Sequence, residues 1–415
     1  MPAAAGTSVL YPLVSGTVPS AYSSTLDGAM DAYLDHAATT AMRPAAIAAV
    51  TEQLARVGNP SSLHGAGRQA RRVVEESRER IAEALGARPS EVVFTSGGTE
   101  ADNLAVKGFF WAMRRPVLVT SAVEHHAVLD PAHWLQRRQG ARHVLLGVDG
   151  YGTVHPEQLT SALSEHHDQV AVVSVQYANN EVGTLQPIPE LAAAADRANV
   201  PFHTDAVQAL GQVPVDVGEL FAAGVHAITI SGHKIGGPLG VGALLLRRET
   251  TPDPLLHGGG QERDVRSGTL DAPAIAGFAA AVAEAAAEQQ KAAVRLAELR
   301  DLLIHGVLER VPDARIGGDP ERRLPGNAHL AFPGCEGDAL LLLLDSQRIA
   351  CSTGSACSAG VSQPSHVLLA MGYDPNLARG ALRFSLGHTS TRAEVDRVLE
   401  VIGAAVERAR DAGFT

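Results

Sequence analysis

The sequence predicts an α/β protein with a large domain built on a mostly parallel sheet, followed by a smaller α+β domain. From about residue 44, short apolar runs rich in β-branched residues alternate with helix-like stretches, which is the pattern of βαβ units. A long Ala-, Glu- and Leu-rich helical stretch follows Pro273 and extends to about Val307, and a mixed segment then runs from about 325 to 410. The chain of 415 residues is long enough for roughly two or three domains.

The first element in chain order is a helix over 44–54, because a proline stands in its first turn and alanine dominates its interior. Six strand-like runs follow, each bounded by polar residues or glycine: 91–96, 116–120, 143–146, 170–175, 227–230 and 241–246. We divide the chain into four parts: a disordered extension over 1–29, a segment over 30–45 that packs with the small domain, a large cofactor-binding domain over 46–273, and a linking helix with the small domain over 274–415.

Composition excludes several classes of function. The net charge of −11 argues against direct nucleic-acid binding, which needs a basic face, and no apolar run approaches the length that spans a membrane. The cysteines are Cys335, Cys351 and Cys357, an odd and low number that fits a reducing cytoplasm and gives neither a disulfide framework nor a metal site. Residues 1–29 contain no Lys or Arg, so they do not resemble a targeting leader.

Two residues indicate the chemistry. Lys234 ends the apolar run that begins at Ala227 and precedes a glycine-rich stretch. Burial lowers the pKa of an amine, so Lys234 is a candidate for a Schiff base, although a surface lysine just past the strand is an equal alternative. Cys357 lies among small residues over 352–360, which suits a mobile nucleophile. Together they predict a pyridoxal-phosphate enzyme with a covalent sulfur step.

Other residues around Lys234 suit the same cofactor. The run 91–96 turns through Gly97 and Gly98 into a helix that begins with Thr99, and free N–H groups at a helix start bind phosphate. Asp205 at a strand end could keep a pyridine nitrogen protonated, and it could equally be a helix N-cap. His125 follows a strand and could stack on a ring or move a proton, whereas a lone histidine is more often structural.

Nine segments identify a family, and they occur in one order: 33–40, 58–64, 94–100, 179–183, 231–234, 257–262, 266–269, 354–357 and 383–387. In this order and composition the chain resembles the cysteine desulfurases of the iron–sulfur-assembly and nitrogenase-maturation type, within the class V aminotransferase family. The resemblance covers about 32 to 405. It implies a fold-type-I pyridoxal-phosphate fold and a homodimer whose active sites lie at the interface.

The resemblance also assigns roles to residues. It implies that Lys234 carries the cofactor, that Asp205 pairs with its ring nitrogen, that Gln208 contacts its phenolic oxygen and that His125 stacks on its ring. The residues implied to bind the cofactor are Gly98, Thr99, His125, Asn180, Asp205, Gln208, Ser231, His233, Lys234 and Thr269. Thr99, Ser231 and His233 match the phosphate ligands, and Thr269 matches a threonine that reaches the partner subunit's site. Asn180 and Arg383 match the residues that hold the substrate carboxylate.

The expected activity is that of a cysteine desulfurase. Cys357, Lys234 and His125 would be catalytic: L-cysteine would become L-alanine, and Cys357 would keep the sulfur as a persulfide. Protein acceptors would receive that sulfur for iron–sulfur cluster assembly, tRNA thiolation or both. The alternatives are a selenocysteine lyase or small-amino-acid aminotransferase of the same fold, and a non-catalytic scaffold for sulfur transfer. An aminotransferase has no use for Cys357, and a scaffold has no use for Lys234.

Overall fold

The structure is a computed structural model that describes residues 31–354 and 364–413. The predicted extension over 1–29 and the predicted nucleophile Cys357 both lie outside the described residues. Within them, no helix is at once long and apolar enough to cross a lipid bilayer.

The strands, in chain order, are β1 (Ala32–Tyr33), β2 (Val92–Thr95), β3 (Val117–Ser121), β4 (Arg142–Leu146), β5 (Val170–Ser174), β6 (Phe202–Asp205), β7 (Ala227–Ser231), β8 (Gly242–Leu246), β9 (Arg315–Ile316), β10 (Asn327–Ala331), β11 (Ile349–Ala350) and β12 (Ala381–Ser385). The helices are α1 (Pro44–Leu54), α2 (Gly65–Leu85), α3 (Gly98–Met113), α4 (His126–Gln139), α5 (Pro156–His166), α6 (Ile188–Arg197), α7 (Val217–Ala222), α8 (Ala272–Arg310), α9 (Gly337–Asp345), α10 (His366–Ala370), α11 (Pro375–Arg379) and α12 (Arg392–Gly413). The predicted strands and the first helix are confirmed.

The large sheet has seven strands in the order β2-β8-β7-β6-β5-β3-β4. All neighbours from β7 to β4 pair in parallel, and β8 runs antiparallel to both β7 and β2. The mostly parallel sheet predicted from the sequence is therefore confirmed. Its inner strands β5, β6 and β7 are buried along their whole length, which explains why they are apolar without strict alternation: helices cover both faces.

The second, smaller sheet has the order β12-β10-β9 and is antiparallel. The N-terminal strand β1 pairs in parallel with β11, and Leu34 joins the apolar core formed by β10, β12, α12 and the end of α8. Helix α8 has 39 residues, so it is about 58 Å long. Its early residues pack in the core of the large sheet and its late residues pack in the core of the small one. The division at 46–273 and 274–415 stays a prediction.

The strand directions decide where functional side chains meet. Strands β3, β5, β6 and β7 are parallel, so their carboxyl ends lie at one edge of the sheet, where open α/β sheets bind ligands. Strand β2 has the same direction as β7, because both are antiparallel to β8. The turn from β2 into α3 therefore reaches this edge as well.

We expect the core of the large sheet to be intolerant of truncation at Phe202, which is fully buried in β6. Replacing Phe202 with alanine removes most of an aromatic side chain from a packed site, so Phe202→Ala should lower the free energy of unfolding by about 3–5 kcal/mol. Leu145 lies on the edge strand β4 and is 50% exposed. The control Leu145→Ala should therefore change the free energy of unfolding by less than about 1 kcal/mol. Chemical denaturation measures both, and equal losses would contradict this packing.

Candidate active site

A cleft of about 460 Å³ opens at the carboxyl edge of the large sheet. Ten of the residues singled out from the sequence line it: Gly98, Thr99, His125, Asn180, Asp205, Gln208, Ser231, His233, Lys234 and Arg383. Thr269 is exposed and is not among the lining residues of its own chain's cleft. The structure therefore brings together almost the whole predicted constellation, while the role of each member stays a prediction.

Lys234 reaches the cleft because β7 ends in a single 3₁₀ turn, Gly232–Lys234. The turn requires glycine at its start, since a Cβ on Gly232 would lie 2.7 Å from the carbonyl oxygen of Pro238. The Nζ atom of Lys234 donates hydrogen bonds to the carbonyl oxygens of Ala37 and Ala38, at 2.6 and 2.8 Å. Burial, and then the nearby Arg383 guanidinium, lower the pKa of Lys234 to about 8. About a tenth of this amine is therefore neutral and nucleophilic at pH 7, far more than for an unperturbed lysine.

The floor of the cleft carries two buried acids. Asp205 ends β6, and its Oδ1 accepts a hydrogen bond from the Val207 N–H at 2.8 Å. Burial raises the pKa of Asp205 to about 6. Asp102 on α3 also lines the cleft, and burial and the Asp205 carboxyl raise the pKa of Asp102 well above its usual range. The floor is thus a place where negative charge lacks a full counter-charge, and a cation would be favoured there.

One end of the cleft is suited to an anion. Gly97 has φ 149° and lets β2 turn sharply into α3, which begins at Gly98. The first N–H groups of a helix have no partner within the helix and bind phosphate well. Ser231 completes this end: its Oγ is buried and has no hydrogen-bond partner among the described residues. Thr99 and His233 line the same cleft.

His125 forms a wall of the cleft and is the N-cap of α4. Its Nδ1 accepts a hydrogen bond from the Ala127 N–H at 3.1 Å, so the neutral ring carries its proton on Nε2. His125 is exposed toward the cleft, and partial desolvation and then the positive charge of Lys234 lower the pKa of His125 to about 4. The ring is therefore neutral at physiological pH, and it presents a hydrogen-bond donor from Nε2.

Arg383 also lines the cleft; it belongs to β12 of the small sheet and is almost fully buried. Its Nη1 donates to the carbonyl oxygen of Asn180 at 2.9 Å, and its Nη2 donates to Oδ1 of Asp35 at 2.8 Å. The Nε atom is buried and has no hydrogen-bond partner in the described part of the chain. Arg383 is thus held rigidly, while the described residues leave other N–H groups of its five-donor guanidinium unused, which suits recognition of a carboxylate.

Sequence reasoning missed several contributors to the site. Asp35 orients Arg383, the carbonyl groups of Ala37 and Ala38 hold Lys234, and Asp102 adjoins Asp205. Asp35 lies in the segment 33–40, which served only to identify the family. Asp102 lies one turn into α3, the helix that begins at Gly98. An acidic residue on the buried side of that helix was the sequence signal that could have revealed Asp102 as a member of the site.

These residues fit pyridoxal phosphate. The unpartnered hydroxyl of Ser231 and the start of α3 match the phosphate, and the uncompensated acid Asp205 matches a protonated ring nitrogen. Lys234, with its lowered pKa, matches the aldehyde that such a cofactor offers to an amine.

Comparison with known proteins agrees with this fit. Residues 32–398 match the family described as Aminotransferase class-V. The chain is 57% identical to the IscS-like cysteine desulfurase of Mycobacterium tuberculosis over 92% of this chain and 98% of that protein. A solved NifS-like protein has a TM-score of 0.84 at 34% identity, covering 91% of this chain and 99% of its own. A structure described as SspA in complex with cysteine has a TM-score of 0.75 at 30% identity, covering 87% and 100%.

The fold is therefore that of fold-type-I pyridoxal-phosphate enzymes, as the sequence predicted. With matches over nearly the full length of each relative, the chain belongs to the class-V aminotransferase family and, within it, to the cysteine desulfurases.

Proposed function

We propose that this protein is a pyridoxal-phosphate-dependent cysteine desulfurase that converts L-cysteine to L-alanine and keeps the sulfur on Cys357 as a persulfide. One observation carries the proposal: a partly buried amine of lowered pKa, Lys234, shares a cleft with the acid Asp205, the unpartnered hydroxyl of Ser231 and the guanidinium of Arg383. The cysteine desulfurases among its relatives support the same activity.

The residues that would hold the cofactor divide by chemistry. Gly98, Thr99, Ser231 and His233 would take its phosphate, and Asp205 would take its ring nitrogen. Gln208 would contact its phenolic oxygen, although its Nε2 here donates to the carbonyl oxygen of Ala37 at 2.9 Å. His125 would lie against its ring, and Asn180 would line its edge. Bound pyridoxal phosphate supplies an electron sink that acidifies the Cα–H bond of an attached amino acid.

Arg383 and Asn180 would bind the substrate. The guanidinium of Arg383 lines the cleft and would meet the carboxylate of L-cysteine through N–H groups that Asn180 and Asp35 leave free, while those two residues hold it in place. Because Arg383 and Lys234 line the same cleft, a substrate held at its carboxylate presents its Cα to the amine. Neutral Lys234 Nζ then accepts the Cα proton. His125 contributes a neutral ring and a hydrogen bond from Nε2, since its Nδ1 is engaged by the Ala127 N–H.

Cys357 would be the sulfur acceptor. Its thiolate attacks the substrate's sulfur, the carbon–sulfur bond breaks, and the carbon takes up a proton, so that L-cysteine and one thiol give L-alanine and one persulfide. Burial raises the pKa of Cys351 to about 12, and burial also raises the pKa of Cys335, which disfavours both as nucleophiles. Gly354 lines the cleft, and Cys357 follows it by three positions in the sequence.

We also propose a homodimer in which Thr269 reaches the partner subunit's phosphate site. Thr269 is exposed, and the N–H of its neighbour Gly268 donates to Gln261 Oε1 at 2.9 Å. Gln261 Nε2 in turn donates to Ser61 Oγ at 3.5 Å, which links this region to the segment 54–63. That second segment exposes Leu54, Val57 and Leu63 by 68, 89 and 81%, and so much exposed apolar surface favours burial against another subunit.

Acceptors and location complete the proposal. Protein acceptors would take the persulfide sulfur for iron–sulfur cluster assembly or tRNA thiolation, with no direct contact to nucleic acid or membrane. The two described cysteines, Cys335 and Cys351, are unpaired, which supports a cytoplasmic location, where thiols stay reduced.

The activity is tested by Lys234→Ala. The unaltered protein, loaded with pyridoxal phosphate, should convert L-cysteine to equal amounts of L-alanine and sulfide in the presence of a thiol reductant. Lys234→Ala removes the amine that attaches the cofactor and accepts the Cα proton, so turnover should fall by about 1,000-fold or more. Borohydride should trap the cofactor on residue 234 only in the unaltered protein. Full turnover by the variant, or transfer of the amino group to a 2-oxo acid, contradicts the proposal.

The sulfur carrier is tested by replacing each cysteine in turn. Cys357→Ala should abolish persulfide formation, detected by mass spectrometry after L-cysteine is added under non-reducing conditions. Cys351→Ala and Cys335→Ala remove buried thiols of raised pKa, so they should leave the persulfide in place and cost only stability. A persulfide that survives in Cys357→Ala shows that another thiol carries the sulfur.

Asp205 should destabilise the cofactor-free protein. Its pKa is raised from 3.8 to about 6, so between these values the native state binds more protons than the unfolded state, and stability falls as the pH rises through this range. Asp205→Asn should therefore raise the free energy of unfolding by about 1–3 kcal/mol at pH 7.5 and by almost nothing at pH 4.

Denaturation at both pH values measures this difference. The control is Asp196→Asn, which changes an exposed acid paired with Arg247 at 3.2 Å and should have little effect at either pH. A stability loss in Asp205→Asn at pH 7.5 contradicts the assigned charge balance of the cleft floor.

A further inference from the structure

A partly buried ion pair adjoins the phosphate end of the cleft. Arg266 Nε donates to Glu100 Oε1 at 2.8 Å, and Arg266 Nη2 donates to Glu100 Oε2 at 3.3 Å. The two side chains are only 16% and 14% exposed, so water and salt screen the pair weakly. Neither residue lines the cleft, and neither has a part in the reaction described above.

The position of Glu100 is unfavourable for anion binding unless its charge is cancelled. Glu100 follows Thr99 directly in the first turn of α3. Its carboxylate folds back over the turn that precedes the helix, because Glu100 Oε2 accepts the Ser96 N–H at 2.7 Å. A carboxylate there competes with a phosphate for the positive helix end and repels it.

Glu100 is nevertheless ionised. Burial would raise its pKa, but hydrogen bonds from Arg266 and Ser96 lower the pKa of Glu100 below its usual value. The negative charge is therefore present at neutral pH, and Arg266 is the cation bonded to it.

We propose that Arg266 is a positioning residue for the cofactor's phosphate: by neutralising Glu100, it keeps the start of α3 open to a phosphate dianion. This inference rests on the proposed function, since it assumes that the cofactor's phosphate lies at Gly98 and Thr99. Arg266 also stands three residues before Thr269, so the pair ties the segment that would serve the partner subunit to the phosphate turn of its own site.

The test measures the dissociation constant of pyridoxal phosphate for the cofactor-free dimer by absorbance titration, with inorganic phosphate as a competing probe. Arg266→Gln leaves the charge of Glu100 without its cation, so it should raise the dissociation constants of pyridoxal phosphate and inorganic phosphate by about tenfold or more. The double variant Glu100→Gln/Arg266→Gln removes the repulsion and should return both constants to within about threefold of the original values. Arg266→Lys keeps the positive charge, so both of its dissociation constants should also stay within about threefold of the original values.

The controls distinguish three causes of weaker binding: loss of folding, a local structural change and loss of the neutralising charge. Arg392→Gln breaks an exposed pair with Asp396 on α12 and should change neither constant. Circular dichroism and light scattering check that each variant is a folded dimer. Should Arg266→Gln not fold, the dissociation constants of Arg266→Lys and of the double variant still test the proposal, because both should stay within about threefold of the original values. If the double variant binds the two ligands as weakly as Arg266→Gln, or more weakly, the ion pair only stabilises the local structure and the proposal is overturned. Unchanged binding by Arg266→Gln overturns it as well. If the unaltered protein binds no pyridoxal phosphate, the proposed function itself fails.

Discussion

The site depends on the way a partly buried lysine is held by carbonyl groups, with no carboxylate bonded to its amine among the described residues. Lys234 donates to the carbonyl oxygens of Ala37 and Ala38, and these dipoles stabilise an ammonium less than an ion pair would. Desolvation therefore dominates and brings the pKa of Lys234 to about 8. The charges of Asp205 and Asp35 raise this pKa only in part. A carboxylate bonded directly to the amine would protonate it more firmly and remove its nucleophilic character.

The same principle organises the rest of the cleft. Asp205 and Asp102 lie buried with too little positive charge, and Ser231 has an unused hydroxyl group. Behind them, His203 Nε2 lies 2.9 Å from Thr229 Oγ1 and 3.6 Å from Asp102 Oδ1. Burial lowers the pKa of His203 to about 3, so this histidine is neutral and does not balance the acids. Such unbalanced groups cost stability in the free protein and are compensated by a ligand that carries the complementary charges.

Three parts of the chain meet at the substrate end. Arg383 comes from the small sheet, Asp35 from the N-terminal segment and Asn180 from a loop after β5. The parallel bridge between Asp35 and Ser385 of β12 brings the N-terminal segment to the small sheet. The backbone N–H of Arg383 donates a hydrogen bond to the carbonyl oxygen of Ser352 at 2.6 Å. The geometry of one guanidinium thus depends on how all three parts pack, which gives it rigidity that no local sequence could provide.

The sequence by itself determined the order of strands and helices, the glycine turn before α3, and the placement of Lys234, Asp205 and His125 after strands. These features follow from local rules, since hydrophobic periodicity and the backbone freedom of glycine act over short stretches of chain. Only the tertiary structure decided the contacts of Arg383 with Asp35, of Lys234 with Ala37, and of Arg266 with Glu100. Such partners lie 166 to 348 residues apart, and the pKa of each group depends on the desolvation that the whole packed chain imposes.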